Sequence, residues 1–328
     1  MSQAPQATGD PTAPVGDDAV RPFAVESLDI RGRAVQMGGE LDAILGRHDY
    51  PAPVSRLLAE AIVLTALLGS SLKIDGRFTL QTETDGPVDL LVVDYRSGGA
   101  IRAYARFDSE RVSAADGAGP ADLLGEGRMA MTVDQGSLTT RYQGIVQLTG
   151  EDDLQEVAHT YFRQSEQIPT RVRLAVAELQ VRGADGVVQR GWRAGGLLVQ
   201  FLPRSPERAR MQELTGDVPD GVEIPEFEED DAWTEAQALI ETVEDIELTD
   251  PAVPVERLLF RLFNQRGVRV FDPLAVRDEC SCSSDKVEGV LAGFSADEIS
   301  EATKDGVITA RCEFCGRGYA FDPAKFAS

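Results

Sequence analysis

The chain has 328 residues, 42% hydrophobic and 27% charged, which excludes a wholly disordered, collagen-like or small disulfide-scaffold protein and predicts two or three folded segments. Acidic side chains outnumber basic ones by 55 to 32, a net charge of -23, so nothing offers the cationic excess that binding nucleic acid or an anionic membrane surface needs. The imbalance is local: Met211 to Glu256 holds 16 Asp and Glu and no Lys or Arg.

Residues 1–20 have neither a cationic start nor an apolar h-region, so they are expected to be a disordered tail rather than a secretory signal. The most apolar run, Ala61 to Leu68, falls well short of the roughly 18 to 20 residues of a membrane span, and nothing else approaches it. A soluble, cytoplasmic protein is expected.

From Phe23 to Pro203 short β-rich runs dominate: Phe78 to Glu83, Val88 to Tyr95, Ala100 to Phe107, Arg128 to Val133 and Thr139 to Leu148, then Arg171 to Gln180 and Gly196 to Leu202. Turns such as Asp85-Gly86 and Ser97-Gly98-Gly99 separate them as an antiparallel meander. Ser55 to Leu68 is apolar on nearly all faces and predicts a helix buried against that sheet; Asp152 to Ser165 predicts a second helix. Strands and helices do not alternate regularly, so the fold class is α+β, built on an N-terminal antiparallel-sheet domain with packed helices.

The acidic stretch divides. Asp217 to Asp231 carries Pro219, Gly221 and Pro225 among its carboxylates and is expected to be mobile. Ala232 to Leu248 places Trp233, Ala236, Leu239, Ile240, Val243 and Ile246 at helical spacing, an amphipathic helix that must dock on something and is marginal alone. Val255 to Asn264 predicts a further helix. The expected division is a tail at 1–20, an α+β domain at 21–205, an acidic helical linker at 206–270 and a small cysteine-bearing domain at 271–328.

All four cysteines lie near the C-terminus, as Cys280-Ser281-Cys282 and Cys312-Glu313-Phe314-Cys315. Two close pairs resemble a four-thiolate zinc site, because each pair clasps one side of a tetrahedral ion. The surrounding apolar set (Val276, Val287, Val290, Leu291, Phe294, Ile299, Val307, Ile308, Phe314 and Tyr319) is too small to fold the module without metal. Four thiolates close the coordination sphere, which argues against hydrolytic zinc chemistry. From spacing alone the module is either a structural zinc site or a redox switch, since neighbouring thiolates can oxidise to a disulfide that no longer holds metal. Arg277, Lys286, Arg311 and Arg317 stand beside Asp278, Glu279, Asp285 and Glu313, a mixed set that leaves the ion itself to keep the thiols deprotonated.

Other chemistry has no visible basis. No Lys follows a Gly and no G-x-G-x-x-G opens a helix, so no nucleotide is expected. His48 and His159 lie outside any catalytic motif, Ser70 and Ser71 read as turn residues, and no catalytic residue is expected.

The chain resembles the bacterial thirty-three-kilodalton heat-shock protein family of redox-regulated holdase chaperones, from about Phe23 to Phe321. The resemblance rests on the two cysteine pairs, on YFRQSEQIPTRVRLAV from Tyr161 to Val176, on AGGLLVQFLP from Ala194 to Pro203 and on RYQGIVQL from Arg141 to Leu148. It implies a metastable linker and a C-terminal domain binding one zinc ion through Cys280, Cys282, Cys312 and Cys315. Oxidation then pairs Cys280 with Cys282 and Cys312 with Cys315 and releases zinc. The protein, typically a homodimer, holds unfolding client proteins without ATP. The tail and the run Asp217 to Asp231 depart from the family pattern; repulsion within the run is expected to lower linker stability. The competing readings are a purely structural zinc module, a thiol-disulfide oxidoreductase using Cys312 and Cys315, and a zinc-ribbon nucleic-acid binder.

Overall fold

The alternating strands close around one apolar helix. The computed structural model describes residues 17–71, 76–115, 117, 119–135, 141–182, 188–202 and 230–326. In chain order its first elements are β1 (Ala19–Val25), β2 (Ile30–Met37), α1 (Gly39–Leu45), α2 (Ala52–Gly69), β3 (Arg77–Thr84), β4 (Leu90–Arg96) and β5 (Ala100–Arg106). They continue with α3 (Ser109–Ala114), α4 (Pro120–Leu124), β6 (Glu126–Asp134), β7 (Arg141–Thr149), α5 (Leu154–Tyr161), β8 (Thr170–Arg182) and β9 (Val188–Phe201). Strands β1-β2-β9-β8 form one antiparallel sheet and β5-β4-β3-β6-β7 a second. Helix α2 lies between them, and its Leu57, Leu58, Ile62, Leu64 and Leu67 are fully buried in a core lined by both sheets. Each such side chain contributes about 1.5–3 kcal/mol. The α+β class is as expected.

Helix α2 is longer than its apolar run. Ala52 to Glu60 extends it to 18 residues with a mean hydropathy of 1.5, so by length and composition it could cross a membrane, contrary to the expectation that nothing approached a span. It is instead a core helix, 78% buried within the protein. Strands β1 and β2 were not anticipated, because Pro22, Gly32 and three arginines interrupt the apolar alternation there; β1 begins inside the span assigned to the tail, with Val20 fully buried. Strands β8 and β9 run longer than expected. Helix α5 starts later than expected, where the Asp153 carboxylate accepts the Gln155 and Glu156 backbone N–H groups at 2.9 Å, and a wide turn at Phe162–Glu166 follows it.

The linker covers the outer face of the first sheet with α6 (Asp231–Glu241), α7 (Asp245–Thr249) and α8 (Val255–Phe263). One helix was expected from Ala232 to Leu248; it breaks at Thr242, where the hydroxyl donates to the Leu239 carbonyl and Glu247 caps the Glu244 N–H to start a new turn. The break puts Ile246 in solvent, 59% exposed, while Trp233, Ala236, Ile240 and Val243 dock and Leu239 packs partly buried as the stripe predicts; Leu248, outside the stripe, is buried with them. Trp233 packs on Phe201 and Phe263 on Phe23, each with ring centroids 5.9 Å apart. Gly195 and Gly196 of the AGG run allow two close approaches: a Cβ on Gly195 would strike the Leu248 carbonyl, and one on Gly196 would strike Val63 of α2. The tail residues 1–16 and nearly all of Asp217 to Asp231 lie outside the described residues.

Three short strands, β10 (Arg269–Val270), β11 (Leu274–Ala275) and β12 (Arg277–Asp278), then join the N-terminal sheets. The first two pair with β1 and the third runs parallel to β5. Residues 269–278 are therefore strand partners of the N-terminal sheets, across the boundary expected at 271, and Val276 packs into the N-terminal core rather than the cysteine module. The module itself comprises α9 (Ser284–Leu291), α10 (Ala296–Ala302) and the antiparallel sheet β13 (Thr303–Lys304), β14 (Val307–Arg311) and β15 (Gly318–Phe321).

Candidate metal centre

Each cysteine pair is held by a different local device. Cys280 and Cys282 bridge the end of β12 and the start of α9, whose N-cap Ser283 accepts the Lys286 N–H. Cys312 and Cys315 occupy the tight turn between β14 and β15. There the Gly316 N–H donates to the Cys312 carbonyl at 2.8 Å and the Cys312 N–H to the Arg317 carbonyl at 2.9 Å. The turn closes through Gly316, whose φ of 70° is a left-handed conformation that favours glycine.

The two devices bring all four Sγ atoms within 4.8 Å of one another. Cys280 and Cys312 approach to 3.7 Å and Cys282 and Cys315 to 3.4 Å, and the four are free thiols. Tetrahedral zinc at about 2.3 Å from each sulfur places neighbouring sulfurs about 3.8 Å apart, so the donors fit a four-coordinate thiophilic ion. Electrostatics agrees. Burial raises the pKa of Cys282, but hydrogen bonds from the Tyr319 hydroxyl, at 3.0 Å, and from the other sulfurs outweigh it and bring the thiol down from 9.0 to about 7. Burial pushes Cys315 up to about 12 and raises Cys312 as well. Four thiolates at this spacing repel, and a divalent cation is what allows them to ionise together.

The charges near the site divide differently from the sequence expectation. Arg277 donates to the Gly98 carbonyl, Asp278 pairs with Arg47, Lys286 donates to the Ser281 carbonyl and Arg311 to the Gly316 carbonyl. The guanidinium that reaches a sulfur belongs to Arg102 of β5, whose Nη1 lies 3.7 Å from Cys280 Sγ. Arg102 also donates to Asp94 at 2.6 and 2.9 Å and lies 4.0 Å from the centre of the Phe314 ring, while Tyr104 meets Phe314 edge-on. Asp94 is buried and accepts the Thr79 hydroxyl at 2.6 Å. No spacing signal could have found Arg102, which is 178 residues from Cys280; Tyr319 was read only as apolar, and its place beside Cys282 follows from the β14-β15 hairpin. The module's own core is Leu291, Ile299, Ile308 and Phe321, whereas Val290, Phe294 and Val307 are exposed.

The remaining candidates serve structure. His159 accepts the Val172 N–H at 2.9 Å, with burial lowering its pKa, and His48 packs between Tyr50 and Tyr104. The Ser70 and Ser71 hydroxyls donate to carbonyls one turn back.

The family model described as "Hsp33 protein" matches residues 18–322. A 33 kDa chaperonin of Caulobacter vibrioides is 45% identical over 318 residues, 95% of this chain and 97% of that protein. One from Azotobacter vinelandii is 34% identical over 313 residues, 94% of this chain and 93% of that protein. The crystal structure of the Thermotoga maritima 33 kDa chaperonin shares the fold, with a TM-score of 0.68 at 21% identity, covering 94% of this chain and 96% of that one. With a four-thiol centre beside a two-sheet domain, and a match that spans both, the chain belongs to the Hsp33 protein family.

Proposed function

We propose that the chain is a chaperone of the holdase type, independent of ATP, that binds unfolding client proteins after oxidation of a zinc centre held by Cys280, Cys282, Cys312 and Cys315. The observation that carries the reading is the cluster itself: four thiols within 4.8 Å of one another, in a module whose core has four buried side chains with Val287, Ala302, Tyr319 and Phe326 partly buried against them. Family membership supports the chaperone activity, and the relatives named 33 kDa chaperonin support client binding.

In the reduced protein the thiolates hold one zinc ion, whose binding energy orders the module. With peroxide as oxidant, a thiolate sulfur takes one oxygen to become a sulfenic acid as hydroxide leaves. A neighbouring thiolate then displaces a second hydroxide and closes a disulfide, so two electrons pass to peroxide for each bond. The pairs are Cys280 with Cys282 and Cys312 with Cys315, as in the family the chain resembles. Disulfide sulfurs no longer hold the ion, so module and linker unfold and the sheet face beneath the linker is exposed. The working units are the sheet domain from residue 21 to 205, the linker 206–270 and the switch 271–328, with 269–278 acting as a strap between them. The oxidised form works as a homodimer, and the cytoplasm supplies the reducing resting state.

Peroxide with mild heat should release about one zinc per chain, the stoichiometry of a single four-thiolate site, and should make the protein suppress light scattering by a denatured client. Equal suppression by the reduced, zinc-bound protein overturns the switch. Zinc loss without suppression leaves a structural zinc module.

A further inference from the structure

The sheet face beneath the linker is more than apolar. Residues paired across neighbouring strands share a face. Arg21 opposes Ala34, Arg171 opposes Val199 and Arg173 opposes Leu197, and all three partners lie in the apolar cluster under the linker. Arg193 follows the same parity on β9, two residues before Gly195, on which the linker backbone rests. This face of β1, β2, β8 and β9 thus presents four arginines among Phe23, Ile30, Leu197, Val199 and Phe201, and it carries no Asp or Glu.

The linker is the chemical complement. Residues 231–250 hold seven carboxylates and no Lys, Arg or His. Arg21 pairs with Glu256 of α8, and Arg173 donates to the Asp245 carboxylate at 3.0 Å and to the Val243 carbonyl at 3.2 Å. Arg171 donates to Gln237 at 3.3 Å, and Arg193 donates to the Thr249 carbonyl at 3.3 Å and pairs with Asp17. Beneath the docked linker Arg21 and Arg193 are almost wholly buried; when the linker departs Arg21 loses Glu256 and Arg193 loses the Thr249 carbonyl while keeping Asp17. The seam is already open at one point: a cavity of about 200 Å³ lies between β8, α5 and α6, lined by His159, Arg171, Arg173, Ile240 and Glu241.

We propose that this face, once vacated, selects client segments in which apolar residues are interspersed with carboxylates. The docked linker is then an internal stand-in for a client, and basic segments are rejected by like charge. The inference rests on the holdase reading above.

The test uses full-length protein oxidised with peroxide and mild heat, with suppression of client aggregation measured on the same sample. Two tagged peptides are titrated into it: the sequence of residues 231–250, and the same sequence with every Asp and Glu replaced by Asn and Gln. The acidic peptide should bind about tenfold more tightly at low salt, a margin that narrows as salt screens the charges. Arg171→Gln combined with Arg173→Gln should erase most of that margin. Both positions are partly exposed on the edge strand β8, and amide protection of β9 in the reduced variant confirms that the sheet folds. Equal binding of both peptides, or a margin unmoved by the arginine pair, in a sample that does suppress aggregation overturns this inference alone. A sample that never suppresses aggregation overturns the holdase reading and the inference with it.

Discussion

In the N-terminal half, α2 alone places Leu57, Leu58, Ile62, Leu64 and Leu67 in a core closed by two sheets, whereas the module from Ser284 to Phe326 encloses Leu291, Ile299, Ile308 and Phe321. The first region folds on burial. The second orders a longer stretch of backbone per buried side chain, and conformational entropy exceeds what those four contribute. The sulfur centre is where the missing stability enters. In the proposed mechanism the switch sits in the region with the small core, and the surface it guards sits on the region with the large one.

Removing the metal breaks this contrast most directly. Chelation under reducing conditions should cost the module on the order of 10 kcal/mol and abolish amide protection from Cys282 to Phe321. Protection in β3, β4 and β9 should persist. A module that stays protected without metal would erase the distinction between the two regions.

The linker lies between these extremes, anchored by side chains rather than an ion. Phe263 is fully buried against Phe23, so Phe263→Ala should cost about 3–5 kcal/mol and loosen residues 231–263 while zinc is retained. Amide exchange in the reduced protein reads this directly. Unchanged exchange in α6 would mean that the linker is held chiefly by its ion pairs.

Glu60 sharpens the comparison from the core side. Burial in α2, reinforced by the charge of Asp153 and opposed by Arg56, pushes its pKa up from 4.5 to about 7. Because the folded value is the higher one, both states are protonated at low pH and Glu60 costs nothing. Between pH 4.5 and about 7 the unfolded chain loses its proton first and stability falls; above about 7 the full penalty applies, on the order of 3 kcal/mol. Glu60→Gln should recover roughly 2 kcal/mol near pH 8 and almost nothing below about pH 4.5, in denaturant melts of the N-terminal transition.

Much of this organisation was legible where periodicity is strong. The meander β3 to β7, the buried α2, the docking stripe of Trp233, Ala236 and Ile240, and the convergence of four cysteines all follow from local spacing. What stayed hidden was set by long-range pairing. Arginines on β1 and β2 interrupt the apolar alternation, and the acceptors of Arg21, Arg173 and Arg193 arrive from the distant linker, which no local pattern shows. The strap at 269–278 is too short for any pattern of its own and exists because β1 and β5 offer edges. The break at Thr242 depended on a hydroxyl-carbonyl bond that a helical spacing rule does not see.

The smallest expected effect concerns how the two regions hold each other. Three contacts join the cysteine module to the second sheet: the β12 strap, ending where the Glu279 N–H donates to the Ile101 carbonyl at 3.0 Å, the edge-on meeting of Tyr104 with Phe314, and Arg102, which joins Asp94, Cys280 and Phe314. Arg102→Ala removes a cation from an aromatic face and a sulfur, worth about 1–2 kcal/mol together. It leaves Asp94 with Thr79 and, at 4.0 Å, Arg77. The variant should keep its zinc, lose amide protection at Cys312 to Arg317 in the reduced state, and release zinc to peroxide several-fold faster. Arg102→Lys keeps the charge on Asp94 but not the planar stack on Phe314, so it should restore protection only in part. If both variants release zinc at the wild-type rate, docking resides in the strap and the Tyr104–Phe314 contact, and shortening the contact of Arg277 and Asp278 with Ala100 and Ile101 becomes the way to separate the two regions.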